Sequence, residues 1–250
     1  VAAVSRARAE RLPGSAAGAL INDRLETLAP EETVRVMKGS RILAIGGNWP
    51  GTAPAIKEGM GIEVVDVPFS ELDEAWKAAD KEESRAIADR WKRTARKVVG
   101  VSFDTLAASA AMYLAEKAVL AKHGARAITI NCLGGFYGGH IHAYPCLGFH
   151  ELLNQGFIGA CECDVRSTAT MVAVSAMTKG RPGYISDPVI DCGARRIIYA
   201  HCVAHNRPFG PKGPVNQFEI LTHSEDHQGA AVRSLVVLRM GQNLEQIGRA

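Results

Sequence analysis

Short apolar runs alternate along this chain with longer stretches of helical spacing, and that alternation admits few folds. Residues 42–45 (Ile-Leu-Ala-Ile) run into Gly46 and Gly47, residues 62–67 are closed by Pro68, residues 127–130 lead into a glycine-rich stretch, and residues 157–161 end at Glu162. Each run is long enough for a buried strand and too short for a helix of ordinary length. Strands separated by helices pair in parallel, and a parallel sheet must bury both of its faces. The expected fold class is therefore α/β, a Rossmann-like parallel sheet with helices on both faces.

The segments between these runs supply the helices. Residues 31–37 suggest a short helix ahead of the first strand. Ser70 stands where it could cap a helix. The charged run 75–96 keeps Trp76, Ala79, Ile87, Trp91 and Ala95 at helical spacing, which reads as one face buried and one solvated. Asp104 is placed to cap an alanine-rich helix over 105–122 that Gly124 ends. Further helices are expected near 147–155 and over 167–177, and residues 134–139 read as a glycine-rich loop. After Asp191, Cys192 and Gly193 the texture turns to β: residues 196–200, 217–221 and 230–238 are strand-like, with prolines between them. Three divisions follow: an N-terminal helical segment, 1–40; an α/β domain, 41–180; and the start of a β-rich, barrel-like C-terminal domain, 181–250.

Composition narrows the function classes. A net charge of +3 from 29 basic and 26 acidic residues, dispersed along the chain, gives no footprint for nucleic acid or for an acidic membrane surface. No run approaches the ~18 apolar residues of a membrane span. The charged N-terminus lacks the apolar core of a secretory signal, so a cytoplasmic setting is expected and the six cysteines read as free thiols. Beginning at Val1 and stopping in polar sequence at Ala250, the chain reads as a piece of something longer.

Chemistry concentrates where apolar runs end. Glu162 follows residues 157–161, Asp187 follows an extended stretch over 183–186, and His201 follows residues 196–200. From Glu162 a helix carries the chain away at about 1.5 Å per residue, and an extended return at about 3.3 Å per residue balances it. Both carboxylates are thereby expected at one sheet edge, beside the carboxyl ends of their strands, where open α/β sheets place ligands. Two carboxylates and an imidazole with open positions suit a hard divalent ion such as Mn²⁺ or Mg²⁺. Asp164, just ahead of a helix, reads instead as its N-cap. Tyr137, His140 and His142 lie in the glycine-rich loop, from which they could touch a polar substrate or simply face solvent.

Rival readings stay open. Cys161, Cys163, Cys192, Cys202 and His205 could bind zinc, but their spacing forms no paired knuckles, and small buried thiols explain them as well. The loop over 45–51 lacks both the GxGxxG order and a P-loop lysine.

Taken in order, the motifs Glu162-Cys163-Asp164, Gly180-Arg181-Pro182 and Ile185-Ser186-Asp187 resemble the L-fucose isomerase and L-arabinose isomerase superfamily. Tyr144-Pro145-Cys146-Leu147 and Gly156 to Cys161 upstream, and Ala200-His201-Cys202 with residues 225–239 downstream, are similar to that family's flanking sequence. The resemblance covers the chain from about Arg41 onward. It implies reversible aldose–ketose isomerisation of a free sugar through an enediolate, with a divalent metal, usually manganese, and no organic cofactor. It implies that Glu162 and Asp187 ligate the metal and exchange the proton between C1 and C2, with His201 matching a ligand histidine of the arabinose branch. It further implies a homo-oligomer, trimer or hexamer. Family members carry an additional N-terminal α/β domain and a later ligand histidine, for which His223 and His227 come early, so the chain resembles the middle of such an enzyme. A non-catalytic carbohydrate-binding protein, or an inactive fragment of the isomerase, is the alternative. A metal hydrolase is less supported, because neither a serine elbow nor HExxH accompanies the acids.

Overall fold

The computed structural model describes residues 25–47, 50–181, 183–192, 196–210, 213–223 and 229–234. Expectations for residues 1–24, for His227 and for a strand beyond Ser234 lie outside these residues. Strands β1 (Arg41–Ile45), β2 (Glu63–Val67), β4 (Ala127–Ile130) and β5 (Ile158–Ala160) form one sheet in the order β2-β1-β4-β5. All its pairings are parallel. Helices α1 (Pro30–Lys38), α2 (Thr52–Met60) and α8 (Val165–Met177) cover one face. The other carries α3 (Phe69–Ala78), α4 (Lys81–Thr94), α5 (Phe103–Lys122) and α7 (Cys146–Asn154). The expected α/β fold with a helix-covered parallel sheet is therefore present.

Burial explains why these runs are strands. Ile42, Leu43, Ala44 and Ile45 are fully buried, as are Ile128 and Ile130, because both sheet faces are covered. Trp91, Leu106, Met112 and Phe149 complete the core on the α5 side. At the carboxyl end of β1, Gly46 has φ 82°, and any Cβ there would overlap the ring of Phe69. Only glycine meets both conditions, so the β1 exit turns closely under α3.

Local chemistry shifts several expected boundaries. The charged run over 75–96 is two helices, because Ala79 is extended and Asp80 starts α4 by accepting the Glu83 N–H at 2.7 Å. Ser102, rather than Asp104, caps α5, taking the Thr105 N–H at 3.1 Å, and Asp104 sits in the first turn. α3 starts at Phe69 after Pro68, which places Ser70 inside the helix. Much of the expected glycine-rich loop is a short helix, α6 (Cys132–Tyr137), which Asn131 caps through the Gly134 N–H at 3.2 Å.

Among the described residues no helix follows Met177. β6 (Asp187–Asp191) and β7 (Arg196–Ala200) form an antiparallel pair of their own. β8 (Phe218–Leu221) pairs with β9 (Ala231–Ser234), and also in parallel with β3 (Lys97–Val99), so the later strands are joined to a strand between α4 and α5. No described helix is long and apolar enough to cross a membrane.

Candidate metal centre

The order β2-β1-β4-β5 reverses direction between β1 and β4, and the chain leaves the carboxyl ends of β1, β4 and β5 along one edge. Such an edge gathers loops without disturbing the sheet. Glu162 lies two residues beyond β5, in a turn where Cys163 N–H donates to Ile130 O at 3.0 Å and Asp164 N–H to Cys161 O at 3.3 Å. Cys163 Sγ also bonds Gly47 O, tying this turn to the β1 exit. Glu162 and Cys163 both take left-handed backbone, φ 68° and 51°. Residues with a Cβ rarely do so, and the strain is held by the three strand ends around the turn.

Asp164 has the capping role its sequence position suggests. Its Oδ1 accepts the Ser167 N–H at 2.9 Å and its Oδ2 the Ser167 hydroxyl at 2.5 Å, both at the start of α8. That leaves Glu162 as the carboxylate of the motif that faces outward.

Asp187 arrives differently from the sequence expectation. It begins β6, outside the parallel sheet, and pairs with Ala200 at the end of β7. Asp187 does not sit on the parallel sheet's own edge; it meets His201 through the β6–β7 hairpin. The route from α8 is fixed by Arg181, whose Nε and Nη2 donate to Pro208 O at 3.2 and 3.1 Å. The turn after β7 is anchored in its turn by β9, through Val232 N–H to Cys202 O at 2.9 Å.

Glu162, Asp187 and His201 thereby converge, each offering a ligand atom within 4.8 Å of the others. His201 Nε2 lies 3.5 Å from Asp187 Oδ2, with the imidazole side chain 6% exposed and the carboxylate 82% exposed. The other ring nitrogen, Nδ1, is 3.3 Å from Cys202 Sγ. Burial alone would lower the His201 pKa, but Cys202, Asp187 and Glu162 outweigh it and raise the value. Two exposed carboxylates beside a nearly buried imidazole form a hard donor set open on the carboxylate side, which fits a divalent ion.

The remaining candidates lie elsewhere along the same edge. His140 stacks on Phe69 at 5.2 Å, and His142 reaches Asp73 at 3.5 Å and Trp76 at 5.6 Å, so the contacts of both run to α3. Tyr137 is exposed on the last turn of α6, edge-on to Phe136. Phe136 packs on Tyr144 and Tyr144 on His223, an aromatic row that leads back towards Cys202.

Among the residues of the zinc reading, Cys163 is committed to Gly47, Cys192 is exposed, and His205 is buried edge-on to Tyr184. Cys161 and Cys202 do come together, and they are joined by Cys146, which the sequence reading did not include. Its one signal is position: Cys146 opens α7 directly after Pro145. Cys146 and Cys161 bond Cys202 and hold its thiol well below the usual range, against its burial, with help from His201 and His223. The thiol of Cys161 is pushed well up, by Cys132, Cys146 and Cys202 and by burial.

A cavity of about 340 Å³ opens at the opposite edge, by the amino ends of β1, β4 and β5. Its cations are already engaged: Arg41 with Glu63, Arg126 with Gly156 O, and Lys179 with Glu26. It shares no residue with the carboxylate group.

No protein-family model matches the chain, and no curated protein matches it at a significant level.

Proposed function

We propose that Glu162, Asp187 and His201 hold a divalent metal ion, manganese or magnesium, and that the site interconverts an aldose and a ketose as the L-fucose and L-arabinose isomerases do. The observation that carries this reading is the convergence of these three residues, from the turn after β5, the start of β6 and the end of β7. The donor set fits such an ion by its own chemistry: oxygen and neutral imidazole ligands, with a solvent-facing side left for substrate hydroxyls.

Bound there, a divalent ion would supply Lewis-acid polarisation of the sugar's carbonyl and the neighbouring hydroxyl. The chain's own part is proton transfer. One of the exposed carboxylates removes the C2 proton and returns it at C1 of the enediolate, and the O2 hydroxyl proton passes to O1, which completes the exchange without an organic cofactor. His201 is held in place from both ring nitrogens, which fixes the ring plane facing the two acids. Tyr137, His140 and His142 are proposed to reach the sugar from α6 and the segment after it. A homo-oligomer, trimeric or hexameric, is proposed with the same reading.

The test is aldose–ketose interconversion on a panel of pentoses and 6-deoxyhexoses with added Mn²⁺, the parent chain against Glu162→Gln and Asp187→Asn. Metal-dependent turnover lost in both variants is the expected result. Turnover retained in both, or sugar binding by calorimetry that ignores metal and yields no product, overturns the assignment.

A further inference from the structure

Beside the carboxylates lies a second group of ligating atoms that the isomerase reading leaves unused. Cys146 opens α7, Cys161 follows β5, and Cys202 lies in the turn after β7, so three elements distant in sequence each direct one sulfur to a common point. Cys146 and Cys161 are almost completely buried and Cys202 is partly covered. Cys146 Sγ is 3.5 Å from Cys202 Sγ, Cys161 Sγ is 3.8 Å from Cys202 Sγ, and all three lie within 4.8 Å of one another.

Those separations exclude a disulfide and are compatible with a shared ion. A disulfide needs its sulfurs about 2.05 Å apart, so none of these pairs is bonded and each would have to close by well over 1 Å. Sulfurs around a tetrahedral zinc-class ion, with metal–sulfur distances of about 2.3 Å, lie about 3.8 Å from each other. The two pairs that include Cys202 are already close to that spacing. Thiols packed in ordinary contact lie at a similar separation, so what favours a ligated set is that three elements bring their sulfurs to one point, at a turn fastened by Val232 N–H to Cys202 O.

We propose that Cys146, Cys161 and Cys202 bind one thiophilic d¹⁰ ion of the zinc class, in a site distinct from the Glu162–Asp187–His201 centre. Binding releases the remaining thiol protons to solvent and leaves three thiolate ligands on the ion. Because the sulfurs come from α7, from the β5 exit and from the turn tied to β9, the ion would staple the late β-strands to the parallel sheet. His201 adjoins both centres, with Nε2 towards Asp187 and Nδ1 towards Cys202. Soft and hard metals would thus sit on opposite sides of one imidazole.

Cadmium is the probe, because its thiolate complexes absorb in the ultraviolet whereas its carboxylate complexes do not. The full chain, kept reduced with a phosphine, is titrated with Cd²⁺ and followed by the sulfur-to-metal charge-transfer band. The band is expected to saturate at one ion per chain, to persist in the Glu162→Gln/Asp187→Asn double variant and in Cys192→Ser, and to be lost in Cys146→Ser and Cys161→Ser. X-ray absorption on the parent chain with one equivalent of Cd²⁺ should find three sulfurs in the first shell, a readout that no folding defect of a variant can affect. A first shell of only oxygen and nitrogen, absence of the band in the parent chain, or a band undiminished in both Cys146→Ser and Cys161→Ser overturns the proposal. Because the double variant keeps the thiols and loses the acids, failure of the carboxylate site and failure of this one give different results.

Discussion

His201 Nε2 lies 3.5 Å from Asp187 Oδ2 because Asp187 pairs with Ala200 across the β6–β7 hairpin, so the ligand pair is built by strand register. Glu162 reaches the same point from the parallel sheet, and an ion held by all three residues links the hairpin to the sheet. Anything that binds only the folded state stabilises it by mass action, by about 2.7 kcal/mol at a hundredfold excess over Kd. Mn²⁺ should therefore raise the thermal unfolding midpoint of the parent chain. The shift should fall away in Glu162→Gln, Asp187→Asn and His201→Asn, as measured by differential scanning fluorimetry across a Mn²⁺ series. An equal shift in all four proteins would place the ion elsewhere.

Glu162 serves the site at a cost to the fold. Its φ of 68° lies in the left-handed region, where a side chain costs of order 1–2 kcal/mol that glycine avoids. Glu162→Gly should raise the metal-free stability by about 1 kcal/mol while abolishing the Mn²⁺-dependent shift. Urea unfolding with and without Mn²⁺ reads both effects. A destabilised Glu162→Gly would mean that the carboxylate itself holds the turn.

Asp164 is two residues away and does different work. Its carboxylate takes the Ser167 N–H and hydroxyl at the start of α8, so Asp164→Ala should cost about 1 kcal/mol of stability. The Mn²⁺-dependent shift should survive, since Asp164 is outside the converging group. Denaturant midpoints for Asp164→Ala and Asp164→Asn separate the two carboxylates: asparagine keeps most of the cap, and alanine does not.

Much of this was legible in the residues. The strand at 42–45 is apolar on every side chain, and the strand at 127–130 on all but the buried Thr129, because both sheet faces are covered, and such runs show that directly. The role of Asp164 was equally readable, because capping is local. Asp187 was harder, since its partner is fixed by antiparallel register with residues 196–200, and periodicity in one segment carries no pairing information. Cys146 was invisible for the same reason: its neighbours Cys161 and Cys202 belong to other elements, and no spacing rule relates them. The division of the charged run at Ala79 and Asp80 was missed because an apolar stripe can pass through a capped break while both helices pack on α5.

Glu116 is fully buried on α5, and neither of its oxygens has a hydrogen-bond partner among the described residues. Burial raises its pKa well above the usual carboxylate value. The folded chain therefore binds a proton that the unfolded chain releases, and stability contributed below about pH 4.5 is lost as pH rises towards the folded value. Glu116→Met, close in volume, should flatten this dependence and raise stability at neutral pH by about 1–3 kcal/mol. Unfolding free energies at pH 5 and pH 8 for both proteins test it; a variant less stable than the parent at pH 8 would show that the carboxylate has a partner that holds it.

His205 sets the opposite slope. Its ring is 3% exposed, and burial, followed by the neighbouring charges of His150 and Arg181, pushes its pKa down to about 4. Between the unfolded value of about 6.5 and the folded one, the unfolded chain holds the proton and the folded chain does not, so stability is complete above about pH 6.5 and is lost as pH falls towards 4. The linkage gives a loss of about 2 kcal/mol by pH 5, approaching about 3 kcal/mol below pH 4. His150, also buried and also lowered, adds to the same slope. In His205→Gln the packing change shifts stability at every pH alike, so the diagnostic quantity is the difference between pH 7 and pH 5. That difference should shrink by about 2 kcal/mol in urea unfolding, and one equal to the parent's would assign the acid sensitivity to His150 and the carboxylates instead.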